Sequence, residues 1–128
     1  MEPKILLVVE NEVFLESLAK IITTDIVCEV FSTTDFRQAI EIFRKNQPIA
    51  LVLCDEEISQ GDTLQLTSAL RQLDPHQKIA VLTGEAHRLR KNLNLNGLRV
   101  DQVFAKPYDV NDFLEKVADL AQAKAKAR

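Results

Sequence analysis

Short apolar runs recur along this chain with hardly a polar interruption: Ile5 to Val9, Ile26 to Phe31, Ile49 to Cys54, Ile79 to Leu82 and Val100 to Ala105. A run that is apolar throughout, rather than at alternate positions, marks a strand covered on both faces. Between the runs lie segments with helical spacing. Phe14, Leu18, Ile21 and Ile22 share one face; Phe36, Ile40 and Phe43 share another; Leu66, Leu70 and Leu73 form a third. The stripe of Val110, Phe113, Leu114, Val117, Leu120 and Ala121 is the clearest. Thr33 and Thr34 are start signals for the second helix, and the fifth begins near Asp109, just after Pro107. "EAHRLRKNLNLNG" is the weakest helix, because its Asn residues and Gly97 lower helix propensity. Strand and helix therefore alternate, and right-handed crossovers turn such alternation into an α/β fold, a parallel sheet with helices on both faces.

The chain has 128 residues, 46% of them hydrophobic, enough to bury a core in one domain without disulfides or structural metal. That domain is expected over residues 1–122. The Ala/Lys-rich end, 123–128, reads as an extension of the last helix or the start of a linker. Sixteen Lys and Arg against 19 Asp and Glu give a formal charge of −3, and no basic stripe is interleaved with aromatics, which argues against nucleic-acid binding. Cys28 and Cys54 sit inside apolar runs without zinc-like spacing, so both read as buried, reduced thiols in a cytoplasmic setting. No apolar stretch approaches the roughly 20 residues of a membrane helix, and "MEPK" lacks the pattern of a signal peptide.

In an open parallel sheet, ligands collect at the carboxyl ends of the strands. After the first run come Glu10, Asn11 and Glu12; after the third, Asp55, Glu56 and Glu57; after the fourth, Thr83 and Gly84; the fifth ends in Lys106 and Pro107. Clustered carboxylates repel one another, which is tolerable around a hard divalent cation such as Mg²⁺. A carboxylate beside that cation can attack a phosphoryl donor while the cation, a Lys ammonium and a Thr hydroxyl share the charge of the phosphoryl oxygens. The set suits an acyl phosphate on an aspartate.

Along essentially its whole length the chain resembles the receiver domain of two-component response regulators. The matching pieces are "KILLVVENE", "LVLCDEEISQGDTLQL", "IAVLTGE" and "VFAKPYDVNDFLEKV". The resemblance implies a doubly wound, flavodoxin-like sheet of order 2-1-3-4-5 with five helices. It implies that Asp55 accepts a phosphoryl group from a histidine kinase or phosphotransfer protein, that Thr83 moves to contact that group, and that Lys106 is the site lysine, with a cis bond before Pro107. Glu10, Asn11 and Asp55, with the backbone carbonyl of Glu57, would hold Mg²⁺. Glu57 and Glu85 would flank the path of an attacking water and tune phosphoryl lifetime. The face of the fourth helix, fifth strand and fifth helix would bind a downstream effector, and a second copy of the chain is a further partner. No membrane partner is implied.

Several positions depart from the family pattern. Asn11 stands where a second carboxylate is usual and removes one negative charge, so weaker Mg²⁺ binding is expected. Ser59 and Thr63 occupy the usual proline and glycine places in the loop after Asp55, with Gly61 and Asp62 close by. Val103 replaces an aromatic residue that turns inward when the threonine moves, and Phe104 beside it should face the opposite side of the sheet. These departures support an alternative, a pseudo-receiver that binds partners without phosphate. A third reading, a haloacid-dehalogenase-type phosphatase, needs a second Asp where the chain has Glu57. His76 and His87 read as surface histidines, and "HRLRK" as a solvated helix face that could meet an acidic partner.

Overall fold

The computed structural model describes residues 2–126. Its sheet strands are β1 (Lys4–Val8), β2 (Glu29–Thr33), β3 (Leu51–Asp55), β4 (Ile79–Thr83) and β5 (Gln102–Ala105), all parallel, in the spatial order β2-β1-β3-β4-β5. The helices are α1 (Glu12–Asp25), α2 (Phe36–Lys45), α3 (Thr63–Leu73), α4 (Ala86–Leu95) and α5 (Val110–Ala121). The expected doubly wound architecture and strand order are both present. Among the described residues no helix is long and apolar enough to cross a membrane.

Strand alternation divides the core in two. Ile5, Leu7, Leu51, Leu53, Leu82 and Phe104 face α1 and α5, where the rings of Phe104 and Phe113 meet edge to face at 4.8 Å. Leu6, Val8, Val52, Cys54, Val81 and Val103 face α2, α3 and α4. Val103 and Phe104 thus lie on opposite sides of the sheet. Cys54 is fully buried with Sγ 2.9 Å from Thr63 Oγ1, and burial pushes its thiol up to about 12 against that hydrogen bond. Cys28 is also a free thiol but only partly buried.

Some boundaries differ from expectation. The second strand begins at Glu29 rather than Ile26, because Ile26 caps the C-terminus of α1 and is buried there. The second helix starts after Asp35, not at Thr33 or Thr34. Asp35 accepts a hydrogen bond from Gln38 N, whereas Thr33 ends β2. The expected extension of α5 is corrected for residues 123–126. Gln122 adopts a left-handed conformation (φ 54°) that ends the helix, and the chain turns back to pair Ala125 with Ile26. Backbone bonds from Val27 N to Lys124 O and from Lys126 N to Asp25 O hold it there. Residues 127 and 128 of that extension lie outside the described residues.

The segment after β3 is a tight antiparallel hairpin, Glu57–Ile58 against Gly61–Asp62. Ser59 at its tip is stitched to the β2–α2 connection by bonds from its N to Thr34 O and from Phe36 N to its O. Asp62 then caps α3 reciprocally with Gln65. A Cβ on Gly61 would come within 2.9 Å of Gln65 Oε1 and 3.1 Å of the Phe36 ring, so any larger residue there, two places before Thr63, displaces the Gln65 side chain from the capping box or shifts the ring. Gly84 has open space instead. Gly61→Ala is expected to destabilise the domain by about 1–3 kcal/mol, and Gly84→Ala to stay within about 0.5 kcal/mol, measured by urea denaturation; equal effects would show that the hairpin is not tightly packed.

Candidate functional site

At the carboxyl end of the sheet, Glu10, Asn11, Asp55, Glu56, Glu57, Gly84 and Lys106 line one open cleft. Asp55 is the last residue of the central strand β3, and its side chain is 19% exposed. Lys106, just past β5, donates from Nζ to both its oxygens at 3.1 and 3.2 Å. The backbone explains the meeting. Lys106 N donates to Thr83 O at 2.7 Å, continuing the β4–β5 ladder by one residue. The Lys106–Pro107 bond is cis, as the resemblance implied. Lys106 Nζ also lies 5.1 Å from the centre of the Phe14 ring of α1, so an aromatic face attracts the ammonium. Tyr108 packs 4.9 Å from Phe113, and burial, aided by the charge of Asp55, raises its phenol pKa.

Thr83 is fully buried and does not line the cleft. Its hydroxyl donates to Glu56 Oε1 at 2.5 Å and accepts from Glu85 N at 2.9 Å. Glu56 Oε2 accepts from Arg88 of α4 at 2.8 Å, and Arg88 Nε reaches Glu85 Oε2 at 2.7 Å. Glu56 is therefore not half of a solvated acidic pair; only Glu57 is exposed. Arg88, on the solvated "HRLRK" face and still exposed, makes two ion pairs. The missed signal is strand register: Asp55 pairs with Leu82, which sets Glu56 beside Thr83. His76 and His87 are both exposed.

Asn11 has a local role that sequence reading passed over. It is the N-cap of α1, with Oδ1 accepting from Phe14 N at 3.0 Å. Asn is among the best residues for this position, so the amide is accounted for by the helix it starts.

The donors open to a cation are the carboxylates of Glu10 and Asp55, the remaining lone pair of Asn11 Oδ1 and backbone oxygen. Thr63 N bonds to Glu56 O at 3.1 Å. Antiparallel alternation then makes the Glu57–Asp62 pair the non-hydrogen-bonded one, leaving the Glu57 carbonyl outside the hairpin's ladder. Among the described residues no three His, Cys, Asp or Glu side chains gather as a metal cage. Two carboxylates with hard oxygen neighbours fit Mg²⁺, which keeps several of its waters, better than a metal that demands a full protein shell.

A family model described as a response regulator receiver domain matches residues 5–118. Comparison with curated proteins gives no match. Among solved structures, a receiver domain protein from Clostridium thermocellum superposes with a TM-score of 0.81 at 18% identity, covering 94% of each chain. A receiver domain protein from Methanospirillum hungatei does so with a TM-score of 0.81 at 23% identity over 95% of each chain. The non-phosphorylated HemR receiver domain from Leptospira biflexa gives 0.81 at 20% identity, covering 99% of this chain and 100% of that one. At these identities the likeness is one of fold.

If Asn11 caps α1, Asn11→Ala should lower stability by about 1 kcal/mol. Thermal or urea unfolding reads this directly, and an unchanged midpoint would remove the cap from the account.

Proposed function

The chain belongs to the response regulator receiver domain family, and from that premise we propose that it is a phosphorylatable switch. It takes a phosphoryl group on Asp55 from the phosphohistidine of a histidine kinase or phosphotransfer protein, with Mg²⁺ present. One observation carries the reading: the Asp55 carboxylate sits at the cleft with Lys106 bonded to both of its oxygens. In the transfer an Asp55 oxygen attacks phosphorus in line. The P–N bond to the donor imidazole breaks, its electron pair returns to nitrogen, and the imidazole takes up a proton. Lys106 is already in reach of the oxygens where charge develops, and the Thr83 hydroxyl is a second donor once it turns from Glu56.

Mg²⁺, when bound, neutralises charge on the phosphoryl oxygens. Glu10 and Asp55 would hold it, helped by the Glu57 carbonyl and by Asn11. The same reading assigns the output to the face of α4, β5 and α5, where an effector or a second copy of the chain would bind. It gives the receiver residues 1–122 in a cytoplasmic setting, and Glu57 and Glu85 influence over phosphoryl lifetime.

A module that signals without phosphate is not favoured. Its first motive was the amide at Asn11, and that amide caps α1. Its second was the altered loop, which is a well-tied hairpin. The phosphatase reading does not survive the family assignment.

Incubation with acetyl phosphate and Mg²⁺ should add one phosphoryl group by intact mass, and Asp55→Ala or chelation should abolish it. No addition, or addition that persists in Asp55→Ala, would falsify the proposal. Asn11→Asp keeps a capping oxygen and offers a second to the cation, so Mg²⁺ affinity by calorimetry should rise about three- to tenfold. Unchanged affinity would mean that position 11 does not limit the site.

A further inference from the structure

Strand alternation separates the carboxyl end of the sheet into two chemical halves. Asp55 follows the parity of Leu51 and Leu53 and meets Lys106 on the α1/α5 side. Glu56 and Thr83 follow the parity of Cys54 and Val81 and meet each other on the α4 side. A hydroxyl has one proton to donate. That of Thr83 is committed to Glu56, not to Asp55.

The other end of this contact is α4. Its N-cap, Glu85, makes no side-chain capping bond, and its first turn carries no acid. His87, Arg88, Arg90 and Lys91 crowd basic residues toward the positive end of the helix dipole, where they destabilise it. The first turn is tied down instead from the site: Glu85 N donates to Thr83 Oγ1, and Arg88 bonds to Glu56 and Glu85. Among the contacts of the described residues Glu56 is the only side chain bonded to both the Thr83 hydroxyl and the α4 arginine, Glu85 reaching the hydroxyl through its backbone N–H. The position that would otherwise hold an inward-turning aromatic is Val103, packed beneath Leu89 and Leu93.

We propose that Glu56 is a positioning residue, a carboxylate latch that keeps the Thr83 hydroxyl from Asp55 and, through Arg88, joins its release to the first turn of α4. This rests on Asp55 being the phosphoacceptor. When the hydroxyl turns to a phosphoryl oxygen, it leaves both Glu56 and Glu85 N. The first turn of α4 then loses its side-chain hydrogen bond, and Glu56 remains with Arg88. In this chain a carboxylate–guanidinium pair thus connects site and helix without an aromatic at position 103.

Two arms test the proposal. Hydrogen exchange on the unphosphorylated chain needs no phosphotransfer: Glu56→Ala and Arg88→Gln should each speed exchange over residues 85–89 by about two- to fivefold, leaving α5 unchanged. Unaltered exchange in both variants would overturn the link to α4. In the second arm, Glu56→Ala should raise the initial rate of acetyl phosphate labelling about two- to tenfold by freeing the hydroxyl, and the gain should vanish in a Thr83→Val background. Glu56→Gln keeps an acceptor for Thr83, so its rate should stay near the parent's. Equal acceleration by Gln and Ala would replace the latch with simple charge repulsion, and acceleration that survives Thr83→Val would overturn it as well. If the parent chain takes no phosphoryl group, the phosphoacceptor reading fails, and the exchange arm still decides the link.

Discussion

Consecutive residues of a strand project to opposite faces, and at the end of β3 that rule sends Asp55 one way and Glu56 the other. Everything at the site follows from this division. On one side an acid and an ammonium meet over an aromatic ring; on the other a carboxylate, a hydroxyl and a guanidinium meet under α4. The β3–β4 register, Asp55 opposite Leu82, carries Glu56 to Thr83. Sliding that register by one residue would set Asp55 opposite the threonine and take Glu56 from it.

The helices are not held equally. Asn11, Asp35, Asp62 and Asp109 each cap their helix with a side-chain oxygen. α4 alone among the described helices lacks such a bond, and it borrows one from Thr83. Segments that move on signalling come from the less stable parts of a fold, where only a few contacts must break. α4 is nonetheless anchored, since Leu89 and Leu93 are buried against Val103. The first turn of α4 is thus held by the core through Leu89 and by the site through Glu85 and Arg88.

Much of this was legible from local pattern. Each apolar run holds a strand, and the three central ones are apolar throughout because a strand covered on both faces has no polar side to show, whereas β2 at the edge exposes Glu29 and Ser32. Asp109 starts α5 as its place after Pro107 suggested. The misreadings arose where two structures competed for one residue. Ile26 is apolar enough for a strand but is taken by the end of α1, and Thr33 could cap a helix but is held by β2. The Ala/Lys tail has helical composition, yet a left-handed Gln122 turns it back toward Ile26. Gly61 is crowded by Phe36 and Gln65, neighbours that local sequence does not reveal.

By itself the sequence determined the alternation of strand and helix, the placement of acids, hydroxyl and lysine at strand ends, and a resemblance carried by their order. Periodicity and order are properties of one chain read along its length, so they survive without coordinates. Tertiary structure decided which of those strand-end groups touch. It joined Lys106 to Asp55, gave Asn11 to α1, and drew Glu56 and Arg88 together around Thr83. Those contacts depend on register and on the packing of α4 over the sheet. Both are settled by long-range burial, which no local stretch of sequence contains.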